Sequence, residues 1–153
     1  MENYTELINL LNDLIRINID RVKELKKRLN DLASNSELVP LLKRLIKESC
    51  EFKEQLVNEV RKKGGEVINK AAINSGRIYN SWKELKNWLI EKKGLSTLEI
   101  VQYHTKATLK LYKDAVSMVA NIPADSLDLI ATQKAHLKED GEKIETYVVR
   151  SSK

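Results

Sequence analysis

The chain has 153 residues, of which 42% are hydrophobic and 32% are charged, and its formal net charge is +5. Five Gly and two Pro are few helix breakers, which excludes a disordered chain and disfavours a sheet. No apolar run reaches the roughly 18 residues that a membrane span needs, and a single Cys excludes an internal disulfide. The sequence therefore predicts one all-α domain over 1–153, with its core over about 3–149 and a frayed tail over 150–153.

Apolar residues with a period of 3.6, together with helix start and stop signals, divide the chain into four long helices and one shorter helix. The fourth begins at a capping box formed by Ser96 and Glu99, and the second ends at the glycine pair 64–65. On the third, Trp82 is expected in the core and Trp88 near an edge. The predicted helices run over about 3–32, from 37–40 to 64–65, over about 71–92, from 96 to about 119 and over about 123–149.

Short turns separate the first helix from the second and the fourth from the fifth. Helices of this length with short connections pack as antiparallel neighbours. We therefore expect two hairpins that form a four-helix bundle, with the additional third helix in the long connection between them.

Each of the four long apolar stripes has a weak position near its middle. The first stripe steps from Leu14 over a polar amide to Val22. Counted from the connecting turns, the four weak positions lie within one or two turns of a common level. We expect a small polar interior there, in which the amide bonds to a neighbour such as Ser49, or to water, and fixes helix register. The four positions are Asn18, Ser49, Thr105 and Gly141.

Polar positions at mid-height are typical of di-metal carboxylate bundles, which use two single Glu ligands and two Glu-x-x-His pairs. This chain has two His, and neither follows a Glu by three residues, since Val101 precedes His104 and Gln133 precedes His136. We therefore expect no bound metal and no other cofactor. Glutamates of the second helix are interpreted as its solvent face, yet they remain ligands for an altered site. The candidate ligands are Glu48, Glu51, Glu99 and His104.

Five runs spread over about 3–145 carry a family resemblance: LINLLNDLIRINIDRVKEL, EFKEQLVNEVRKKGGEV, GRIYNSWKELKNWL, LKLYKDAV and IPADSLDLIATQ. They look like a family of small bacterial ferritin-like four-helix bundles of unknown function, whose Asn-Asp-Arg element reads Asn-Ile-Asp-Arg at 18–21 here. The resemblance implies a ferritin-like fold. Lys26 replaces a family glutamate, 101–106 replaces an acidic stretch, and Gly141 stands near a family histidine. These departures imply that the di-metal ligands have been lost.

A complete fold signal without an assembled catalytic set favours a non-catalytic protein with a structural or protein-binding role, acting through self-association or a protein partner. We expect a cytoplasmic bacterial protein with no membrane partner, because the first residues lack the basic leader of a signal peptide. One alternative is a metal-binding (iron or manganese) protein or oxidoreductase with an altered site, and another is a DNA-associated bundle. Acids interrupt each basic cluster, so nucleic acid is not the expected partner. The clusters lie at 23–28, 61–63 and 106–113.

Overall fold

The computed structural model describes residues 4–68, 76–91 and 94–151. These ranges contain no β-strand, and no helix in them is both long enough and apolar enough to cross a membrane. The prediction of an all-α protein is therefore confirmed. The helices are α1 (Thr5–Asp31), α2 (Leu38–Lys62), α3 (Arg77–Ile90), α4 (Thr97–Met118) and α5 (Ala124–Ser151).

The observed helix ends follow the predicted signals closely. At the start of α4, the Glu99 backbone N–H donates to the Ser96 hydroxyl at 3.1 Å, and the Ser96 N–H donates to the Glu99 carboxylate at 3.1 Å. Of the tail predicted to fray, Arg150 and Ser151 lie in the last turn of α5, and the Arg150 guanidinium packs on the Tyr147 ring at 4.9 Å. Predicted helical residues 3, 71–75 and 92, and tail residues 152–153, lie outside the described ranges.

The four long helices contact one another in a ring. α1 packs along α2 and α4 packs along α5, while contacts of α1 with α4 and of α2 with α5 close the ring. The shorter α3 packs on α4 and α1 from outside. Trp82 attaches it, since this side chain is completely buried and its ring N–H donates to the Thr108 hydroxyl at 3.0 Å. Trp88 is 68% exposed, and both tryptophan predictions are thus confirmed.

Two apolar clusters fill opposite ends of the space that the four long helices enclose. The larger cluster joins the first half of α1 to the second halves of α2 and α4. The smaller cluster joins the second half of α1 to the first halves of α2 and α4. This pairing of opposite halves makes α1 antiparallel to both neighbours. The smaller cluster comprises Leu25, Leu41, Leu42, Leu45, Leu98, Val101 and Ile144.

The apolar period of the fifth helix predicts an inward stripe that passes through Gly141, and the observed face of α5 differs from it at two positions. The predicted stripe is Leu127, Ile130, Leu137, Ile144 and Val148. Leu127 is 40% exposed, and Ser126 takes the buried position before Ile130. Gly141 is only half-buried, because Asp140 occupies the inward position between Leu137 in the preceding turn and Ile144 in the following turn. Both errors have one cause: a helical face can step by three or four residues, and the apolar pattern leaves that choice open. The three predicted positions that are fully buried are Ile130, Leu137 and Ile144.

Two adjacent side chains of α1 fix the segments on either side of the second connection. The Asn12 amide N–H donates to the Glu66 carbonyl at 2.9 Å, and its oxygen accepts the Ile68 N–H at 2.8 Å. Asp13 accepts the Ile78 N–H at 3.2 Å and so caps the first turn of α3. A carboxylate suits this place because the free N–H groups of a helix start carry partial positive charge. α1 therefore positions α3 over α4.

Candidate functional site

A layer of polar side chains lies between the two apolar clusters. Its members come from all four long helices, and all but one of them are less than 4% exposed. The exception, a glutamate of α2, is half-buried. Burying so many polar groups costs free energy unless they pair with one another, so the layer is the first place to look for function. We call it the central polar layer: Asn18, Arg21, Glu48, Ser49, His104, Thr105, Thr108, Tyr112, Gln133 and Asp140.

The guanidinium of Arg21 lies at the middle of this layer with no exposed surface. It donates to the Ser49 hydroxyl at 3.1 Å and, more weakly, to the Thr105 hydroxyl at 3.5 Å. Two of the buried positions predicted from sequence, Ser49 and Thr105, are thus joined by a residue that sequence reasoning missed. Val22 was predicted to face inward, but it is half-buried. The next inward position after Asn18 is Arg21, three residues on, rather than Val22, four residues on. The neighbour that accepts from the Asn18 amide is Tyr112, whereas Ser49, named above as an example, accepts from the guanidinium.

Two carboxyl groups balance this buried charge. Burial and the adjacent Asp140 carboxyl raise the pKa of Glu48 to about 8, although Arg21 and Arg44 oppose the shift. Glu48 therefore holds its proton at neutral pH, and the two carboxyl groups act on the Arg21 guanidinium from the α2–α5 side. Asp140 also faces Arg44, with 3.8 Å between the carboxylate and the guanidinium. Within the described part of the chain, one oxygen of each carboxyl is buried without a hydrogen-bond partner.

A chain of hydrogen bonds runs from Asn18 across the layer. The Asn18 amide donates to the Leu14 carbonyl at 2.8 Å and to the Tyr112 hydroxyl at 2.9 Å. That hydroxyl donates to the Gln133 side-chain carbonyl at 2.7 Å, and the Gln133 amide donates to the Phe52 carbonyl at 3.2 Å. Burial raises the pKa of Tyr112 far above its ordinary value, so it stays a neutral donor. The Asn18 side chain thus links α1 to α4, and through Gln133 it is also linked to α5 and α2.

His104 lies on the other side of the guanidinium, against α3. It is 2% exposed, and its ring meets the Trp82 ring edge-on with 5.4 Å between centroids. Burial holds the pKa of His104 well below its ordinary range, and the positive charges of Arg21, Lys86 and Arg28 add to this effect. The imidazole is therefore neutral at physiological pH. Neither ring nitrogen has a hydrogen-bond partner among the described residues.

The four candidate metal ligands do not form a group. Glu99 is used in the capping box at the start of α4, and Glu51 is exposed on α2. Glu48 was interpreted as part of the solvent face, but its carboxyl reaches into the layer. It lies beside Asp140, whereas the charges that act on His104 are all positive. No three His, Cys, Asp or Glu side chains of the described ranges are grouped so that they could share a metal ion.

A ferritin-like fold implies a di-metal centre at this depth, and the side chains present do not fit one. Asn18, Ser49 and Thr105 cannot bridge two metal ions as carboxylates do. The permanently charged guanidinium of Arg21 lies among them and would repel a second cation. The central polar layer is arranged around a cation that the chain itself supplies.

A second polar cluster, which we call the end network, ties the end of α2 to the start of α5. The Ser126 hydroxyl donates to the buried Glu59 carboxylate at 2.5 Å, and Lys63 approaches the same carboxylate at 3.7 Å. Lys62 and Lys63 bind Asp125 at 2.7 and 2.9 Å and hold the pKa of that carboxyl well below its usual range. Two lysines of the basic cluster at 61–63 are therefore paired with acids of their own chain.

The basic cluster of α4 lies on the solvent side of that helix. Lys106, Lys110 and Lys113 are all exposed. Lys110 pairs with Asp114 at 2.9 Å, and a neighbouring acid of this kind weakens a phosphate-binding surface. This arrangement agrees with a solvated helix face.

Comparison of the chain with protein-family models, with curated proteins and with solved structures finds no match. The family resemblance therefore stays a prediction from the sequence runs at 3–145.

Proposed function

We propose that the chain is a ferritin-like four-helix bundle of the bacterial family it resembles, with a structural or protein-binding role rather than a catalytic one. In this proposal it acts by self-association or by binding a protein partner. The observation that supports it best is the position of Arg21. A fixed positive charge in the central polar layer, compensated by the Glu48–Asp140 pair, uses the polar interior to set the register of the helices.

The outer face of α3 supports a binding role. Trp88 is 68% exposed, far more than the buried Trp82 of the same helix. Tryptophan is enriched at protein–protein interfaces, where it contributes a large buried area at little conformational cost. We therefore expect α3 to form part of the association surface.

Sedimentation equilibrium over a wide concentration range tests this role. The parent is expected to associate, and Trp88→Ala is expected to weaken association by at least tenfold. Leu127→Ala is the matched control, because Leu127 is 40% exposed on α5, away from α3. Substitutions at exposed positions of this kind change stability by about 0.5 kcal/mol or less, so folding does not confuse the result. A strict monomer at the highest concentration removes self-association, and equal behaviour of the two variants removes the assignment to α3.

A metal-binding protein with an altered site is the second candidate. The buried, unpartnered carboxyl oxygens of Glu48 and Asp140 favour it, because carboxylate oxygens are the ligands of Mg²⁺ and Mn²⁺. A groove of about 300 Å³ between α2 and α5 is lined by Glu48 and His136. Titration with Mn²⁺ tests this candidate, with the free ion measured by its electron paramagnetic resonance signal. Binding that Glu48→Gln abolishes and Glu54→Gln, which changes an exposed acid of the same helix outside this groove, preserves would favour it over a purely structural layer.

A further inference from the structure

The side of the central polar layer that faces α3 collects unpartnered nitrogen atoms. Arg21 is completely buried and its Nε has no partner in the described ranges. The same holds for the buried Nε of Arg28 and for both ring nitrogens of His104. The two guanidinium Nε–H groups can only donate, and the neutral His104 ring adds one N–H donor and one acceptor nitrogen, so donors outnumber acceptors in this set by three to one. An unpaired buried donor costs about 1–3 kcal/mol, so the set calls for an acceptor.

The placement of these groups brings them toward one another. Arg21 and Arg28 are two turns apart on one face of α1. The side chain of a helical residue leans toward the helix N-terminus, so Arg28 leans back toward the level of Arg21. From α4, Thr105 binds the Arg21 guanidinium at 3.5 Å, and His104 is the residue before it. From α3, Lys86 is only 9% exposed, and its ammonium lies 4.9 Å from the Trp82 ring on which His104 packs.

The charge in this region is strongly positive. The charged groups that influence His104 are Arg21, Lys86 and Arg28. On this side of the layer, Glu24 lies 3.9 Å from Arg28 and is partly exposed. The Glu48–Asp140 pair acts on Arg21 from the α2–α5 side instead. In an interior of low dielectric constant, three cations around a neutral imidazole favour a negative charge between them.

We infer that α1, α3 and α4 form an internal site for one small anion, of the size of a halide, nitrate or formate ion. Arg21 Nε, Arg28 Nε and a ring N–H of His104 donate to the anion, and Lys86 adds charge. The anion supplies the acceptor that these nitrogens lack and offsets the positive charge on this side. This inference does not depend on the proposed binding role, and it explains why a histidine without a partner lies in the interior.

Bromide is the probe, because it can be located by its anomalous scattering. In crystals grown in sodium bromide, we expect an anomalous peak within hydrogen-bond distance of Arg21 Nε and a His104 nitrogen. In solution, bromide replaces gluconate at constant ionic strength, and we expect the melting temperature of the full chain to rise with bromide concentration, since a ligand of the folded state stabilises it.

Two variants connect that rise to the site. Arg28→Met removes a donor from a partly exposed side chain, and we expect it to weaken bromide binding at least tenfold. His104→Leu keeps an apolar group against Trp82 and should remove the effect. His136→Leu is the matched control, because His136 is the other histidine and is exposed. A water molecule without an anomalous peak at this place overturns the inference. So does a bromide dependence that both Arg28→Met and His104→Leu retain.

Discussion

The central polar layer and the end network both tie helices together through charged groups, but they do so in different ways. In the end network, Glu59 and Asp125 each have partners, and Asp125 is 40% exposed by its side chain. In the central layer, Arg21 has no exposed surface and the groups around it leave several nitrogen and oxygen atoms unpartnered within the described ranges. The acids of the end network have hydrogen-bond or ion-pair partners, whereas the layer contains buried polar atoms that could still bind a further group.

The two regions should therefore differ in how much stability they lose when one charged partner is removed. Solvent screens the Lys62–Asp125 pair of the end network, so that pair contributes little to stability. Charges in the layer are desolvated, and each one is kept only because its neighbours compensate it. Loss of a single partner is therefore costly in the layer and mild at the exposed Lys62–Asp125 pair of the end network.

Replacement of one basic residue by methionine in each region gives the largest expected contrast. Arg21→Met leaves the Glu48–Asp140 pair without its compensating charge, and we expect a loss of about 3–5 kcal/mol in the free energy of unfolding. Lys62→Met removes an exposed partner of Asp125, and we expect a loss of about 0–1 kcal/mol. Urea denaturation measures both. Equal losses would mean that the two regions do not differ in the way described.

Removal of one hydroxyl from each region gives a smaller contrast. Ser49→Ala deprives the Arg21 guanidinium of a buried acceptor, and we expect a loss of about 1.5–3 kcal/mol. Ser126→Ala deprives Glu59 of one donor, but Lys62 and Lys63 remain near that carboxylate, so we expect about 1 kcal/mol. Denaturant midpoints of the two variants decide the order. A larger loss for Ser126→Ala would contradict it.

The two regions should respond to pH with opposite signs. Glu48 has a folded pKa of about 8 against an ordinary value of 4.5, so between these values the folded chain holds a proton that the unfolded chain has lost. Its contribution therefore makes stability fall as pH rises from about 4.5 to 8, and it levels off above 8. The pKa of Asp125 is lowered from 3.8, so its contribution is present above that value and is lost as pH falls below it.

Melting temperature as a function of pH tests these signs. Glu48→Gln should flatten the decline between pH 4.5 and 8, while Glu51→Gln, which changes an exposed acid of the same helix, should leave it unchanged. A decline of the same steepness in Glu48→Gln and the parent would show that Glu48 does not hold the proton.

The smallest effect is expected at Asn18. Asn18→Leu removes two hydrogen bonds but also a buried amide oxygen that has no partner in the described ranges, so stability should stay within about 1 kcal/mol of the parent or rise. Asn12→Leu is the matched control, because Asn12 binds backbone groups at Glu66 and Ile68, and we expect it to lose about 1–3 kcal/mol. Thermal unfolding compares them. A severe loss in Asn18→Leu would mean that Asn18 is essential to the layer.

Much of the architecture was accessible from sequence because helix periodicity and end signals are local properties. The capping box at Ser96 and the burial of Asn18, Ser49 and Thr105 follow from counting along one helix at a time. The phase of a stripe is less certain, because steps of three and four both keep a residue on the same face. Apolarity then favoured Leu127 over Ser126, although the fold buries the serine.

The composition of the site was harder to predict, because it depends on pairing between helices. A charged residue such as Arg21 is placed in solvent by any hydropathy argument, and only the Glu48–Asp140 pair makes its burial affordable in free energy. That pair joins residues 92 positions apart by their numbers, on helices whose register the sequence does not give. The spacing of Asn18 and Arg21 by three residues, on a face with buried Leu14 and Leu25, is the signal that could have identified the arginine.

The metal content of protein purified without chelator tests the central claim most directly, namely that Arg21 supplies the cation of the polar layer. Elemental analysis should find iron and manganese far below one ion per chain in the parent, because the guanidinium already compensates the Glu48–Asp140 pair. One or two ions per chain, lost in Glu48→Gln, would contradict the claim and make the layer a metal centre.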